Sequence, residues 1–157
     1  NTEVLTINYY DNYIFNKINA EDSVVLYKKE GIQSTNRLQG LATGTKIRVL
    51  NTDNWITSVT YYDEKARPIH VYSQNEYLET TDIIESDLDF VGRVLETKST
   101  HKKTGKSDVV IIDVFGYDHV GRLISQNQCI GDSALISCSK GAENSNNIFI
   151  IISIDFA

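Results

Sequence analysis

Three aspartate–arginine pairs are the residues of this chain best suited by type and spacing to chemistry: Asp63 with Arg67, Asp89 with Arg93, and Asp118 with Arg122, each four residues apart. A carboxylate beside a guanidinium is an acid–base constellation if its pKa is displaced, and a row of guanidiniums can bind an anionic ligand. The three histidines, His70, His101 and His119, fall at unrelated positions relative to these pairs, so each reads as a surface residue rather than a base. No Gly-x-Ser-x-Gly elbow, phosphate loop or His-Glu-x-x-His segment occurs. Neither the cysteine spacing nor the histidines suggest a metal site. The expectation is therefore no catalytic residue, no metal, no cofactor and no enzymatic activity.

The same aspartates have a structural use. In Tyr62-Asp63-Glu64-Lys65-Ala66-Arg67, Leu88-Asp89-Phe90-Val91-Gly92-Arg93 and Tyr117-Asp118-His119-Val120-Gly121-Arg122 they recur at intervals of 26 and then 29 residues. A period in that range, with one turn signal per unit, marks a repeat architecture whose units need their neighbours. Asp favours the first position of a type I turn because its side chain accepts backbone N–H groups two residues on. A small fourth residue then takes a positive φ at little steric cost. Asp-x-x-Gly so placed closes a hairpin, as a type I turn with a bulge. On this reading each arginine packs on an aromatic ring or bridges to the carboxylate of a neighbouring repeat.

The flanking residues support strands. Trp55 to Tyr62 is rich in β-branched and aromatic types, neither it nor Val94 to Thr100 looks helical, and Asp108 to Phe115 is apolar enough to be a more buried strand. Strands are expected near 4–10, 24–28, 46–50, 55–62, 67–73, 82–88, 93–102, 107–117, 122–128 and 147–154. Pro68 stands at the start of one of them, where a missing N–H is tolerated, especially on an edge. Asn19 to Asp22 reads as a short capped helix or a loop, and Gly31 to Gly40 as a polar surface connection. Tyr9-Tyr10-Asp11 echoes Tyr61-Tyr62-Asp63, but Ile14 occupies the place of the small residue, so this turn differs from the others or the echo is chance. Asn144 to Asn147 falls about one period after Asp118, with no Tyr before it and no Arg after it.

Tyr117-Asp118-His119-Val120-Gly121-Arg122-Leu123 resembles the YD repeat of the bacterial RHS (rearrangement hot spot) family. The other two segments resemble it with Ala66 in place of the Gly and Leu88 in place of the Tyr. The block from Leu41-Ala42-Thr43-Gly44-Thr45 through Tyr72 is similar to the region leading into the repeats of large surface-associated RHS proteins. The resemblance covers about residues 41 to 128, with weaker likeness at Tyr9 to Tyr13. It implies an all-β scaffold of antiparallel hairpins in a curved or partly rolled sheet with little or no helix, and no catalysis by the repeats. It also implies a bacterial cell-surface or secreted setting. Activity in such proteins usually sits in a variable C-terminal segment, which this chain does not obviously carry. The repeat-motif residues are Tyr62, Asp63, Ala66, Arg67, Asp89, Gly92, Arg93, Tyr117, Asp118, Gly121 and Arg122.

Composition bounds the remaining readings. At 157 residues a single β domain is expected, divided as 1–45 leading into the repeats, 46–128 holding three hairpin units, and a divergent 129–157. With 41% hydrophobic and 23% charged residues, a disordered or membrane class is disfavoured, and Ile148 to Ile154 is too short to span a bilayer. The net charge of −6 argues against nucleic acid, which needs a basic stripe. The local cluster Lys98, His101, Lys102, Lys103 and Lys106 reads as a solvated hairpin tip. The absence of Met and the start at Asn1 fit a processed or excised chain. Cys129 and Cys138 would close a loop whose cross-link is worth roughly 2.5–3 kcal/mol, but two free, partly buried thiols are the expectation. A sheet of this size must roll up, lay its N-terminal segment over the open face, or pair edges with another copy as a homodimer. Its partners are then the rest of the parent polypeptide, neighbouring repeats or that second copy. The alternative reading is a carbohydrate- or host-surface-binding β module using Trp55, Tyr61, Tyr72 and Tyr77 as stacking surfaces, and burial of these rings counts against it.

Overall fold

A computed structural model describes residues 3–17, 28–29, 32–134 and 138. The protein is all-β, and its principal sheet holds eight antiparallel strands. In chain order the strands are β1 (Thr6–Tyr10), β2 (Lys28–Lys29), β3 (Ile32–Gln33), β4 (Ala42–Arg48), β5 (Trp55–Tyr62), β6 (Pro68–Asn75), β7 (Thr80–Leu88), β8 (Val94–Lys103), β9 (Val109–Tyr117) and β10 (Leu123–Gly131). The sheet order is β1-β4-β5-β6-β7-β8-β9-β10, with β2 and β3 paired separately. No helix occurs among the described residues, and so none is long and apolar enough to cross a membrane. The chain divides into two compact units, residues 1–83 and 84–157.

In the first unit, β5 follows the period-two rule: Thr57, Val59 and Tyr61 are buried, and the residues between them are half-buried. The cover comes from the N-terminal segment. Tyr13 and Leu38 pack on Val59 and Tyr61, flanked by Phe15, Leu41 and Tyr62. The Tyr13 ring lies 4.8 Å from that of Tyr61, and its hydroxyl accepts the Tyr62 N–H at 3.3 Å. Burial raises the Tyr13 phenol far above its usual pKa, so it stays neutral. Phe15 stacks on Tyr9 at 4.2 Å and covers Gly44, where any Cβ would run into its ring. Of the three solutions to an open sheet, the N-terminal segment laid over a face is therefore present here. The stretch before Gly40 is not a surface connection: Ser34, Thr35 and Leu38 are buried, and the Thr35 N–H donates to Tyr62 O at 2.7 Å.

The second unit has its own small core of Val110, Ile112 and Cys129, with Val114 and Cys138 against it. Cys129 sits directly across from Ile112 in the β9–β10 register, which puts the two on one face. Cys129 and Cys138 are joined in a disulfide with Cα atoms 5.7 Å apart, correcting the expectation of free thiols. Cys138 packs against the face that holds Cys129, a placement that spacing alone does not reveal.

Strand bounds agree with expectation for β5 and within a few residues for β1 and for β6 to β10, whereas β3 falls in the stretch expected to be a surface connection. The main shift is β4, which runs over Ala42–Arg48 rather than 46–50. Val49 to Asn54 instead forms a turn, with Val49 N–H donating to Asn54 O and Thr52 N–H to Val49 O. Pro68 does begin a strand, but β6 lies between β5 and β7 rather than at an edge. The missing N–H is harmless because Pro68 sits at the bulge opposite Tyr62. The readings for Asn19 to Asp22, Asn144 to Asn147 and 147–154, and most of 24–28, lie outside the described residues.

Candidate functional site

The three motif turns share one construction. In each, the Asp N–H donates to the Arg C=O at 2.9 Å, and the fourth residue's N–H returns to the Asp C=O at 3.0–3.1 Å. Ala66, Gly92 and Gly121 occupy the left-handed region at φ of 60°, 101° and 88°. These are type I turns with a bulge, as the sequence predicts. Oδ1 of each aspartate accepts backbone N–H groups: from Lys65 and Arg67 on Asp63, from Val91, Gly92 and Arg93 on Asp89, and from Val120 and Arg122 on Asp118, all within 2.8–3.0 Å. Oδ2 accepts the arginine Nε at 2.6, 2.6 and 2.7 Å.

The arginine therefore grips the carboxylate of its own turn, not that of a neighbouring repeat as the sequence suggests. Four residues across a bulged turn bring the two side chains to one side, so the local partner is nearest. The electrostatics follow. Partial desolvation pushes the Asp63 and Asp89 carboxyls up, but bonds from the arginine side chain and from backbone N–H groups outweigh it and hold both below their usual value. Asp118 is lowered first by the Arg122 N–H and then by its guanidinium. A carboxylate held ionised and saturated with donors is poorly suited to proton transfer.

Neighbouring turns also touch. The Arg93 guanidinium lies 5.1 Å from the centre of the Tyr117 ring, and a Cβ on Gly121 would come within 3.1 Å of its Nη1. Tyr117 Oη donates to Val94 O at 2.9 Å. The expected aromatic packing of the arginine is thus present at Arg93. In the first unit Tyr62 Oη makes the matching bond to Ala42 O at 2.7 Å.

A related closure joins β1 to β4, with Asp11 itself at φ 67° where the three motif aspartates are not left-handed. Asp11 N–H donates to Leu41 O at 3.1 Å, and Asp11 Oδ1 accepts the Gly40 N–H. Tyr10 pairs with Ala42 across a register shift, as Tyr62 pairs with Pro68 and Tyr117 with Leu123. Gly40, at φ 79°, fills the place of the small residue that Ile14 cannot fill. The Tyr9-Tyr10-Asp11 echo thus keeps the Asp N–H bond, the Oδ1 bond and the positive-φ glycine of a motif turn, with residues 12–39 between its Asp and Gly.

The other candidates are scattered. Tyr61 is buried at 8% exposure, Trp55 and Tyr72 are half-buried, and Tyr77 stands exposed in the β6–β7 turn. Tyr72 lies opposite Val59 and shares the covered face of β5. His70 packs edge-on to Tyr61, while His101 and His119 are exposed on separate elements. His101, Lys102, Lys103 and Lys106 line an exposed hairpin tip, with Lys102 3.8 Å from Asp108, but Lys98 is half-buried opposite Ile112. Among the described residues no group of three or more His, Cys, Asp or Glu is placed to hold a metal ion.

No family model matches the chain, and neither a curated protein nor a solved structure is significantly similar to it. The repeated Asp–Arg turn is thus the feature on which a functional reading must stand.

Proposed function

We propose that this chain is a non-catalytic structural and interaction module of the RHS/YD-repeat kind, part of a bacterial cell-surface or secreted protein. One observation carries the reading: the side chains most able to do chemistry are all engaged in closing hairpins. Both oxygens of each motif aspartate bond to its own turn, and each motif arginine returns to that aspartate. The disulfide supports an oxidising compartment, since such bonds persist outside the cytosol.

The direct test is to replace the aspartates singly, as Asp63→Asn, Asp89→Asn and Asp118→Asn, and to follow thermal melting beside a glycan array and a panel of hydrolase substrates. Lowered melting temperatures and blank activity screens are expected. A variant that abolishes a measured activity while melting normally would make the row a binding or catalytic site. The alternative reading, a carbohydrate- or host-surface-binding module, keeps exposed Tyr77 and half-buried Trp55 and Tyr72 but loses Tyr61 to the core. A glycan hit that Tyr77→Ala removes would favour it.

A further inference from the structure

We propose that the protein associates head to tail with a second copy, Arg122 of one molecule docking on Tyr10 and Gly40 of the next. The template lies inside the second unit. There one turn reads the following one through three contacts: Arg93 over the Tyr117 ring, the same guanidinium against the bare Cα of Gly121, and Tyr117 Oη on Val94 O.

The tail presents the first half of that contact without its complement. Arg122 holds Asp118 as Arg93 holds Asp89, yet its side chain is 79% exposed against 35% for Arg93. No tyrosine follows Tyr117 in the sequence, so residues 1–157 offer Arg122 no onward Tyr-Asp hairpin. β10, the strand leading out of this turn, ends the sheet order.

The head presents the second half. β1 ends the sheet order on the other side and leads into the Asp11–Gly40 closure. Tyr10 stands where Tyr117 stands, 53% exposed, and a Cβ on Gly40 would meet nothing within 4 Å. A second copy's β1 beside β10 repeats the relation of β9 to β8, antiparallel and with the motif turns at one end. Arg122 then covers the Tyr10 ring and Gly40, and Tyr10 Oη reaches the carbonyl of Leu123, the residue matching Val94. Among the described residues β1 pairs only with β4 and β10 only with β9, and the proposed pairing uses the outer backbone groups of both strands. The two surfaces differ, so the contact is heterologous and the pair as a whole keeps one free head and one free tail.

The inference rests on the structural reading of the turns, and the experiment separates the two. Sedimentation or light scattering is run on the full chain through the micromolar range to the highest soluble concentration. The tail variant is Arg122→Gln, and the head variant is Tyr10→Leu, a residue that Leu88 shows the position before the Asp accepts. Wild type should gain mass with concentration, and each variant alone should associate roughly tenfold more weakly. An equimolar mixture should restore a dimer and stop there, because it contains one intact head and one intact tail. Arg122→Lys repeats the tail test with the charge kept and the planar stacking lost. A monomeric wild type, the result if residues 139–157 of the same chain cover the β10 edge, overturns the proposal. So do variants that associate like wild type, or a mixture no better than its components. Melting of Asp118→Asn judges the structural reading separately: an unchanged melting temperature sinks that reading, whereas a lowered one with monomeric wild type sinks only the association.

Discussion

Ala66→Gly should stabilise this protein, although it removes atoms from a turn and adds none. Ala66 sits at φ 60° in the position that glycine holds in the other two motif turns. A non-glycine residue in that region costs about 1–2 kcal/mol, while glycine returns about 0.4–1 kcal/mol as extra freedom of the unfolded chain, leaving about 0.5–1 kcal/mol in favour of the variant. If the unit of residues 1–83 melts by itself, the midpoint should rise by about 2–8 °C, and by about 1–4 °C if the whole chain melts together. Trp55 is the only tryptophan and begins the strand leading into this turn, so its fluorescence reports on the affected hairpin. The reverse changes should be worse than a mirror image. Gly92 and Gly121 lie at φ 101° and 88°, beyond the left-handed basin that alanine tolerates. Gly121→Ala must also displace the Arg93 guanidinium from 3.1 Å. An unchanged or lowered midpoint for Ala66→Gly, with Gly92→Ala neutral, would refute the assignment of these turns.

Two further predictions follow from the electrostatics and the cross-link. The Asp63, Asp89 and Asp118 carboxyls lie below their usual value when folded, so each contributes stability above the unfolded value of about 3.9 and loses it as pH falls through the folded value. Wild type should weaken on acidification below about pH 4, and a triple Asp→Asn variant should be less stable at neutral pH with a flatter acid limb; acid curves of equal slope would argue against the paired carboxylates. Thiol titration of unreduced protein should find no free thiol, and Cys138→Ser should cost about 2.5–3 kcal/mol in urea melts, the entropy of opening a loop of this length. Free thiols or an unchanged urea midpoint would remove the disulfide from the account.

What was legible in the sequence was what the chain decides locally. Asp-x-x-Gly settles its own hydrogen bonds within five residues, so the turns, their positive φ values and the strands beside them could be read from residue types. The Asp11 closure could not, because its glycine lies 29 residues away and only the register of β1 on β4 brings them together. Leu38 was hidden for the same reason. It stands in a polar stretch whose burial depends on meeting Val59 and Tyr61. The disulfide depended on Cys138 meeting the cluster of Val110, Ile112 and Cys129, a tertiary fact with no local signal. The arginine was misdirected toward a neighbour's carboxylate because spacing along the chain says nothing of which side of a bulged turn a side chain leaves by.

The alanine at position 66 then has a physical reason. The fourth residue of a motif turn answers to two constraints, a positive φ and room for the guanidinium arriving from the turn before it, as Arg93 arrives at Gly121. In the sheet order the closure before the Asp63 turn is the opened one at Asp11, and there Leu41 stands in the arginine's position, its C=O taking the Asp11 N–H. Leu41 packs into the core cluster with Tyr62 rather than reaching across as a guanidinium does. With the second constraint lifted, only the cost in φ opposes alanine, and 60° is where that cost is least. The two sites should therefore be coupled. Leu41→Arg loses apolar packing in either background, but in wild type its guanidinium also meets the Ala66 methyl, and in the Ala66→Gly background it gains the Tyr62 ring and the open Cα. A double-mutant cycle on the Trp55 urea transition should show a favourable coupling of about 0.5–1.5 kcal/mol. Strict additivity of the two changes would mean that the glycine answers to φ alone, and that contact between successive turns does not shape this sequence.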